Sequence, residues 1–273
     1  MVQYAEIGEC RMAYHRQGAG ETMLLVHGIT TYSFIWRNII PLLSNRYDVI
    51  AVDLPGCGES DKPLDKPYAI KNHAEYLKTF VDTLGISRFH FVGHDLGGGM
   101  GQIFAVRHPE MLISLMLVNT VAYDFWPVQP ITAMRTPIIR QFLMSTFDMG
   151  TFRLLIEHGI YHKDSVTETL MEMFQAPMQS SGGRKAFLHF ARCLDNHNLT
   201  DIEDDLRHLD LPVLILRGDA DPYLSAAIAE KLHDEIPGSC LERISTASHY
   251  IQEDEPDWVA QHLLAFANRN TAS

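Results

Sequence analysis

Long apolar runs, paired cysteines and an excess of positive charge are all missing from this chain of 273 residues. No apolar run approaches the roughly 18 residues that a membrane-spanning helix requires, so no membrane partner is expected. The four cysteines, Cys10, Cys57, Cys193 and Cys240, are widely separated and form no CxxC pair. That spacing argues against a disulfide scaffold or a zinc knuckle, and no metal or cofactor is expected. Lys and Arg number 22 against 34 Asp and Glu, a net charge of −12. Phosphate contacts need a basic surface, so nucleic acid is not an expected partner. A large anionic substrate is also disfavoured at long range, although a small carboxylate on one buried Arg is not excluded by charge. The first six residues lack a basic start followed by an apolar stretch, so a secretory signal is not expected and a soluble, cytoplasmic protein is.

Apolar residues make up 46% of the chain, enough for a substantial core, and the length fits one large domain or a core with an insertion. Short, largely apolar runs at 23–26, 89–92, 115–118 and 213–216 predict core strands, 48–52 another strand, 241–244 a last strand, and residues 1–22 short strands before them. Helical spacing covers 34–43, 69–84, a segment ending near His108, 226–235 and 258–267. Apolar strands alternating with helices predict the α/β class, with a mostly parallel sheet covered on both faces. That rhythm breaks between about Asp124 and Arg207, where Met, Phe and His abound and no strand is evident. A helical lid inserted between two strands accounts for this, giving core segments 1–124 and 208–273 around a lid at 125–207.

The run Gly93-His94-Asp95-Leu96-Gly97-Gly98 follows a predicted strand and precedes a predicted helix. A strand–turn–helix of this kind exposes the residue between the glycines as a nucleophile, with small neighbours where a Cβ would collide. Here that residue is Asp95. Four further motifs surround it in order: His27-Gly28 after an early strand, the run 53–63 (DLPGCGESDKP), Gly218-Asp219-Ala220-Asp221 after a late strand, and the run 248–254 (SHYIQED). Together these resemble the α/β-hydrolase superfamily over nearly the whole chain. The branch they are most similar to is that of haloalkane dehalogenases and epoxide hydrolases, in which an aspartate occupies the elbow.

A carboxylate displaces a good leaving group from an sp3 carbon and becomes an alkyl ester. The resemblance implies that His249 then deprotonates the water that cleaves this ester. It also implies that Asp221 orients the imidazole, in the nucleophile–acid–base order of the fold. Asp219 and Asp124 are rivals for the acid, since some dehalogenases place it after the preceding core strand. The backbone N–H groups of Ile29 and Leu96 are the candidate oxyanion donors.

Three departures from the family pattern bear on substrate. Dehalogenases often carry tryptophan after the nucleophile and asparagine after the His-Gly pair; this chain has Leu96 and Ile29. A halide would then need Trp126, Trp36 or a lid residue. Fluoroacetate dehalogenases follow the nucleophile with arginine, for which only Arg135 and Arg140 in the lid are available. Epoxide hydrolases usually carry proline where Thr30 stands, and use lid tyrosines as acids, for which Tyr123 and Tyr161 are candidates. Phe125, Trp126, Phe142, Met144, Phe147, Met149, Phe152, Met171, Met173, Phe174 and Met178 supply either a greasy substrate pocket or simple packing. His158 and His162 sit four apart but lack the acid of an H-E-x-x-H motif, and no G-x-G-x-x-G run suggests a dinucleotide. The expected function is hydrolysis of a small, neutral, apolar substrate with water as co-substrate. Carbon–halogen cleavage leads and epoxide opening is the alternative. A different small-molecule substrate or a non-catalytic ligand-binding role stays open, as does the oligomeric state.

Overall fold

In the computed structural model, residues 1–126 and 149–271 are described, apart from the side chains of Met149 and Thr151. Eight strands form one sheet: β1 (Gln3–Ile7), β2 (Cys10–Gln17), β3 (Thr22–Val26), β4 (Asp48–Val52), β5 (Phe89–Asp95), β6 (Leu112–Thr120), β7 (Val213–Gly218) and β8 (Cys240–Ile244). Their spatial order is β1-β2-β4-β3-β5-β6-β7-β8. Pairs β1/β2 and β2/β4 are antiparallel and the rest parallel. This is the α/β-hydrolase fold.

Alternation along the central strands divides the core between the two faces of the sheet. Leu24, Val26, Ile50 and Val52 belong to one apolar cluster, with helices Ile70–Thr83, Leu96–Arg107 and Ala226–Glu235. Met23, Leu25, Val49 and Ala51 belong to the other, which takes in Trp36 and helix Pro256–Arg269. Strands buried on both faces are why the sequence shows continuous apolar runs.

Two boundaries differ from expectation. The 34–43 pattern is not one helix but two separate turns, Ser33–Trp36 and Ile40–Leu43. Pro41 stands in the first turn of the second piece, where its missing N–H costs nothing, and this marks a new start rather than a continuation. Strand β6 runs to Thr120, well past the apolar 115–118, because its polar end pairs with β5: Thr120 lies opposite Asp95.

Between β6 and β7 the described residues form helices Met149–His158, Glu168–Gln179 and Ser181–Cys193, then short turns His197–Thr200 and Glu203–Leu206. Thr167 and Ser180 cap the second and third, accepting from Leu170 N and Gly183 N. Phe152, Met171, Phe174 and Met178 are buried here, whereas Phe125 is exposed and Met173 half-buried. Arg135, Arg140, Phe142, Met144, Phe147 and the side chain of Met149 lie outside the described residues. No helix among the described residues is long and apolar enough to cross a membrane.

Candidate active site

The parallel strands deliver the loops after β3, β5, β7 and β8 to one edge of the sheet, where open α/β sheets bind ligands. The turn after β5 is tight enough to exclude a Cβ at three glycines. A Cβ on Gly93 would lie 2.4 Å from Gly97 O, one on Gly97 2.4 Å from Val26 O, and one on Gly98 2.2 Å from Thr120 Oγ1. Between them Asp95 is held at φ 52°, ψ −119°, a conformation that L-residues avoid. Strand, elbow and following helix therefore force this carboxylate up from the sheet edge.

Ile29 N–H donates to Asp95 Oδ2 at 3.0 Å. Burial pushes the Asp95 carboxyl above its usual value; His249 and the N–H groups of Leu96 and Ile29 oppose that rise. Both proposed oxyanion donors thus act on the same carboxylate.

His249 Nδ1 lies 3.0 Å from Asp221 Oδ2. Asp221 in turn accepts from Tyr223 N at 2.8 Å, Leu224 N at 3.1 Å and the buried Arg217 at 3.4 Å. Burial opposes its charge, yet His249, Arg217 and Leu224 N–H outweigh burial and hold the carboxyl below its ordinary value. Burial likewise pulls His249 down, but Asp221 and then Asp95 outweigh it, so the imidazole sits above its ordinary value. With Asp221 ionised, Nδ1 carries the proton and donates it, leaving Nε2 as the basic nitrogen.

The loop carrying His249 is fastened by Asn119, which no motif contains, and by His94 and Asp254, which the motifs do contain. Asn119, at φ 38°, donates to Ser248 O at 2.7 Å and His249 O at 3.0 Å, and accepts from Gly218 N at 2.9 Å. His94 Nε2 lies 2.9 Å from the same His249 carbonyl, and since a carbonyl only accepts, Nε2 is the protonated nitrogen. Burial and the neighbouring His249 push His94 down to about 3, so it is neutral. Asp254 accepts from Ser248 N at 2.8 Å and from Tyr161 N and His162 N. His27 accepts from Leu54 N through Nε2 at 3.1 Å and so donates through Nδ1 to Gly28 O at 2.7 Å. An asparagine ending an apolar strand was the one available signal for Asn119.

Other candidates lie elsewhere. Asp124 is exposed, and Asp219 pairs with Arg243 at 2.8 Å, so neither meets His249. Tyr161 is 43% exposed, with its ring on His162. Tyr123 is buried beneath Lys231, whose Nζ sits 3.8 Å above the ring, and is influenced by Glu235 and Glu203. Neither tyrosine is brought to Asp95. The φ of 56° at Tyr123 turns it into the packing of helix Ala226–Glu235. Trp36 is buried in the core on the opposite face from the elbow helix, and Trp126 in the cluster that contains Ile29 and Leu96. Neither indole N–H finds a partner among the described residues. His158 packs on the Tyr223 ring and His162 Nε2 lies 3.3 Å from Glu255. Among the described residues no group of three His, Cys, Asp or Glu is arranged to hold a metal ion. A small, largely apolar cleft opens beside the site, lined by Ile29, Thr30, Cys57, Phe174, Met178 and Phe187 among others.

Residues 21–152 match a family profile described as alpha/beta hydrolase fold. The chain is 28% identical over 270 residues to a cis-3-alkyl-4-alkyloxetan-2-one decarboxylase of Shewanella oneidensis, covering 94% of this chain and 85% of that protein. It is also 28% identical over 296 residues to epoxide hydrolase 4 of Mus musculus, covering 98% and 80%. The crystal structure of haloalkane dehalogenase DbeA from Bradyrhizobium elkani superposes with a TM-score of 0.86 at 25% identity, covering 97% of each chain.

Proposed function

Since this chain is an α/β-hydrolase by fold, we propose that it is a hydrolase working through a covalent ester on Asp95. The observation that carries this reading is the Asp95 carboxylate itself: one oxygen is bonded by Ile29 N–H, and the His249–Asp221 pair stands behind it.

The chemistry follows from that asymmetry. The oxygen not held by Ile29 attacks an sp3 carbon and expels the leaving group. Oδ2 then becomes the carbonyl oxygen of the ester, already facing Ile29 N–H. When water adds, negative charge grows on Oδ2, where that dipole is aimed, and Leu96 N–H also acts on this carboxyl group. His249 Nε2 removes the water proton, and Asp221 stabilises the resulting imidazolium. An ionised carboxylate needs no base for the first step, so His249 serves the second alone. The apolar cleft beside Ile29 supports a small, neutral substrate.

Two leaving groups fit this chemistry. A halide is supported by the likeness to dehalogenases. A strained ring oxygen is supported by the likeness to an epoxide hydrolase, and by the apolar side chains of Ile29 and Leu96, which offer a halide no side-chain donor. To test the shared mechanism, His249→Gln is exposed to 1-haloalkanes and, separately, to terminal epoxides, and its intact mass is recorded. A stalled adduct on Asp95 is expected, without halogen in the first case and with the whole epoxide in the second. Unmodified protein in both, with no halide or diol released by the native chain, would overturn the reading.

A further inference from the structure

Two hydroxyls with no part in the ester chemistry above face each other beside the nucleophile. Thr30 Oγ1 and Tyr250 OH lie 3.2 Å apart. Thr30 directly follows the residue whose N–H holds Asp95, and Tyr250 directly follows His249. The pair therefore joins the two loops that flank the reacting carboxylate.

Their surroundings are unequal. Tyr250 is 3% exposed, with its ring 4.9 Å from those of both Phe174 and His249. Thr30 is half-buried and lines the apolar cleft. Its φ of 67° is rare for a β-branched residue and closed to proline, so this loop cannot follow the proline pattern of epoxide hydrolases. Strain of this kind persists where surrounding structure enforces it and gathers at functional sites.

A count of hydrogens gives the consequence. Two hydroxyls carry two protons, and the single bond between them uses one. Neither oxygen has another partner among the described residues. The Tyr250 hydroxyl is walled in by rings, so the arrangement in which Tyr250 O–H donates to Thr30 is the one that frees the Thr30 proton for the cleft. Burial raises the Tyr250 phenol, the bond with Thr30 opposes that rise, and Tyr223 and Asp95 add to it, so the phenol stays neutral.

We propose that Thr30 donates a hydrogen bond to a leaving oxygen of the substrate, with Tyr250 as the positioning residue that fixes its hydroxyl. This rests on the aspartyl-ester reading and supplies a side-chain donor for that oxygen beside the apolar Ile29 and Leu96. A single directional O–H suits a leaving oxygen that develops full negative charge, since such bonds are short and strong and tighten as charge grows. For a strained cyclic ether, the Asp95 O–C bond forms and the ring C–O bond breaks, with its electron pair staying on the ring oxygen against Thr30. Water then loses one proton to His249 and its oxygen adds to the ester carbon. The acyl–alkoxyl bond breaks, the two water protons end on the two oxygens of the diol, and Asp95 and His249 return to their starting states.

The test measures the rate of adduct formation on Asp95 in the His249→Gln chain, with a terminal epoxide and a 1-bromoalkane of equal length. Thr30→Val is expected to slow epoxide alkylation by about 10²-fold, the loss typical of one preorganised donor, and to slow bromoalkane alkylation far less, so that the epoxide-to-bromoalkane rate ratio falls. Thr30→Ser is expected to restore most of the epoxide rate, and Tyr250→Phe to reduce it by about tenfold, less than loss of the donor itself. An unchanged epoxide rate in Thr30→Val, or equal slowing of both substrates, would overturn the proposal; equal slowing is what a purely structural tie between the loops gives. If Thr30→Val does not fold, the epoxide-to-bromoalkane rate ratio of Tyr250→Phe decides in the same way. Absence of any adduct with Thr30 intact overturns the ester reading and this proposal with it, whereas adducts insensitive to Thr30 overturn the proposal alone.

Discussion

Gly28→Ala perturbs Asp95, the proposed nucleophile, without replacing any reacting group. A Cβ at this position would lie 2.2 Å from Asp95 Oδ2, 2.5 Å from its Cβ and 2.7 Å from its Cγ. Ordinary contact begins near 3.4 Å, so the carboxylate must retreat by more than an ångström or the loop must lift. Either movement breaks the 3.0 Å bond from Ile29 N–H, because residues 28 and 29 share one turn. A misplacement of ~1 Å costs about 10²-fold in rate, equivalent to about 2.7 kcal/mol of barrier. The steric conflict should also lower stability by about 1–3 kcal/mol, as overpacking does. The assay is the rate of Asp95 adduct formation in the His249→Gln background, followed by intact mass, with thermal melting alongside. A Gly28→Ala chain that is alkylated within about threefold of the parent rate would refute the idea that this glycine sets the position of the carboxylate.

Further predictions concern the second step and its scaffold. Asp221→Asn should leave alkylation standing while ester hydrolysis falls by about 10⁴-fold, as when a buried triad aspartate is neutralised; single-turnover kinetics separates the two. Hydrolysis needs neutral His249, whose folded pKa is raised, so the rate should climb with pH through a midpoint above 6.5. In Asp221→Asn that limb should move to lower pH, because the chief group raising the imidazole is gone. Alkylation needs ionised Asp95 and should fade on acidification through a midpoint above 3.8. A pH-independent hydrolysis rate would remove His249 as the base. Asn119→Ala strips three hydrogen bonds from the 218 and 248–249 backbone and should cost about 3 kcal/mol, visible as a melting point lower by roughly 5–10 °C. Tyr123→Phe and Tyr161→Phe should leave both steps within about twofold; a large loss in either would reinstate a tyrosine acid.

What could be read from the sequence was whatever depends on local pattern. Strands buried on both faces leave apolar runs, which is why β3, β4, β5 and β7 were legible. The elbow was legible because a backbone crossing so close that an added Cβ would meet a carbonyl oxygen at 2.4 Å demands glycine, and the sequence has glycine at 93 and 97. Side-chain direction was not. Tyr123 belongs to the expected region but turns at φ 56° into the packing under Lys231, and Tyr161 stays on the surface. Asn119 and His94 fasten the His249 loop across more than a hundred residues of chain, a coupling that no spacing rule encodes. The choice among Asp221, Asp219 and Asp124 turned on burial: Asp221 meets His249 inside, whereas Asp219 takes a surface arginine and Asp124 meets solvent.

The central claim is that water attacks the Asp95 acyl carbon and never the substrate carbon. A single turnover of the native chain in heavy-oxygen water, with enzyme in excess over a substrate that forms the adduct, tests this directly. The account predicts heavy oxygen in the Asp95 carboxylate, found in the peptide that spans the elbow, and ordinary oxygen in the newly formed hydroxyl of the first product. Heavy oxygen in that product and none in Asp95 would mean that water attacks the substrate directly, and would contradict it.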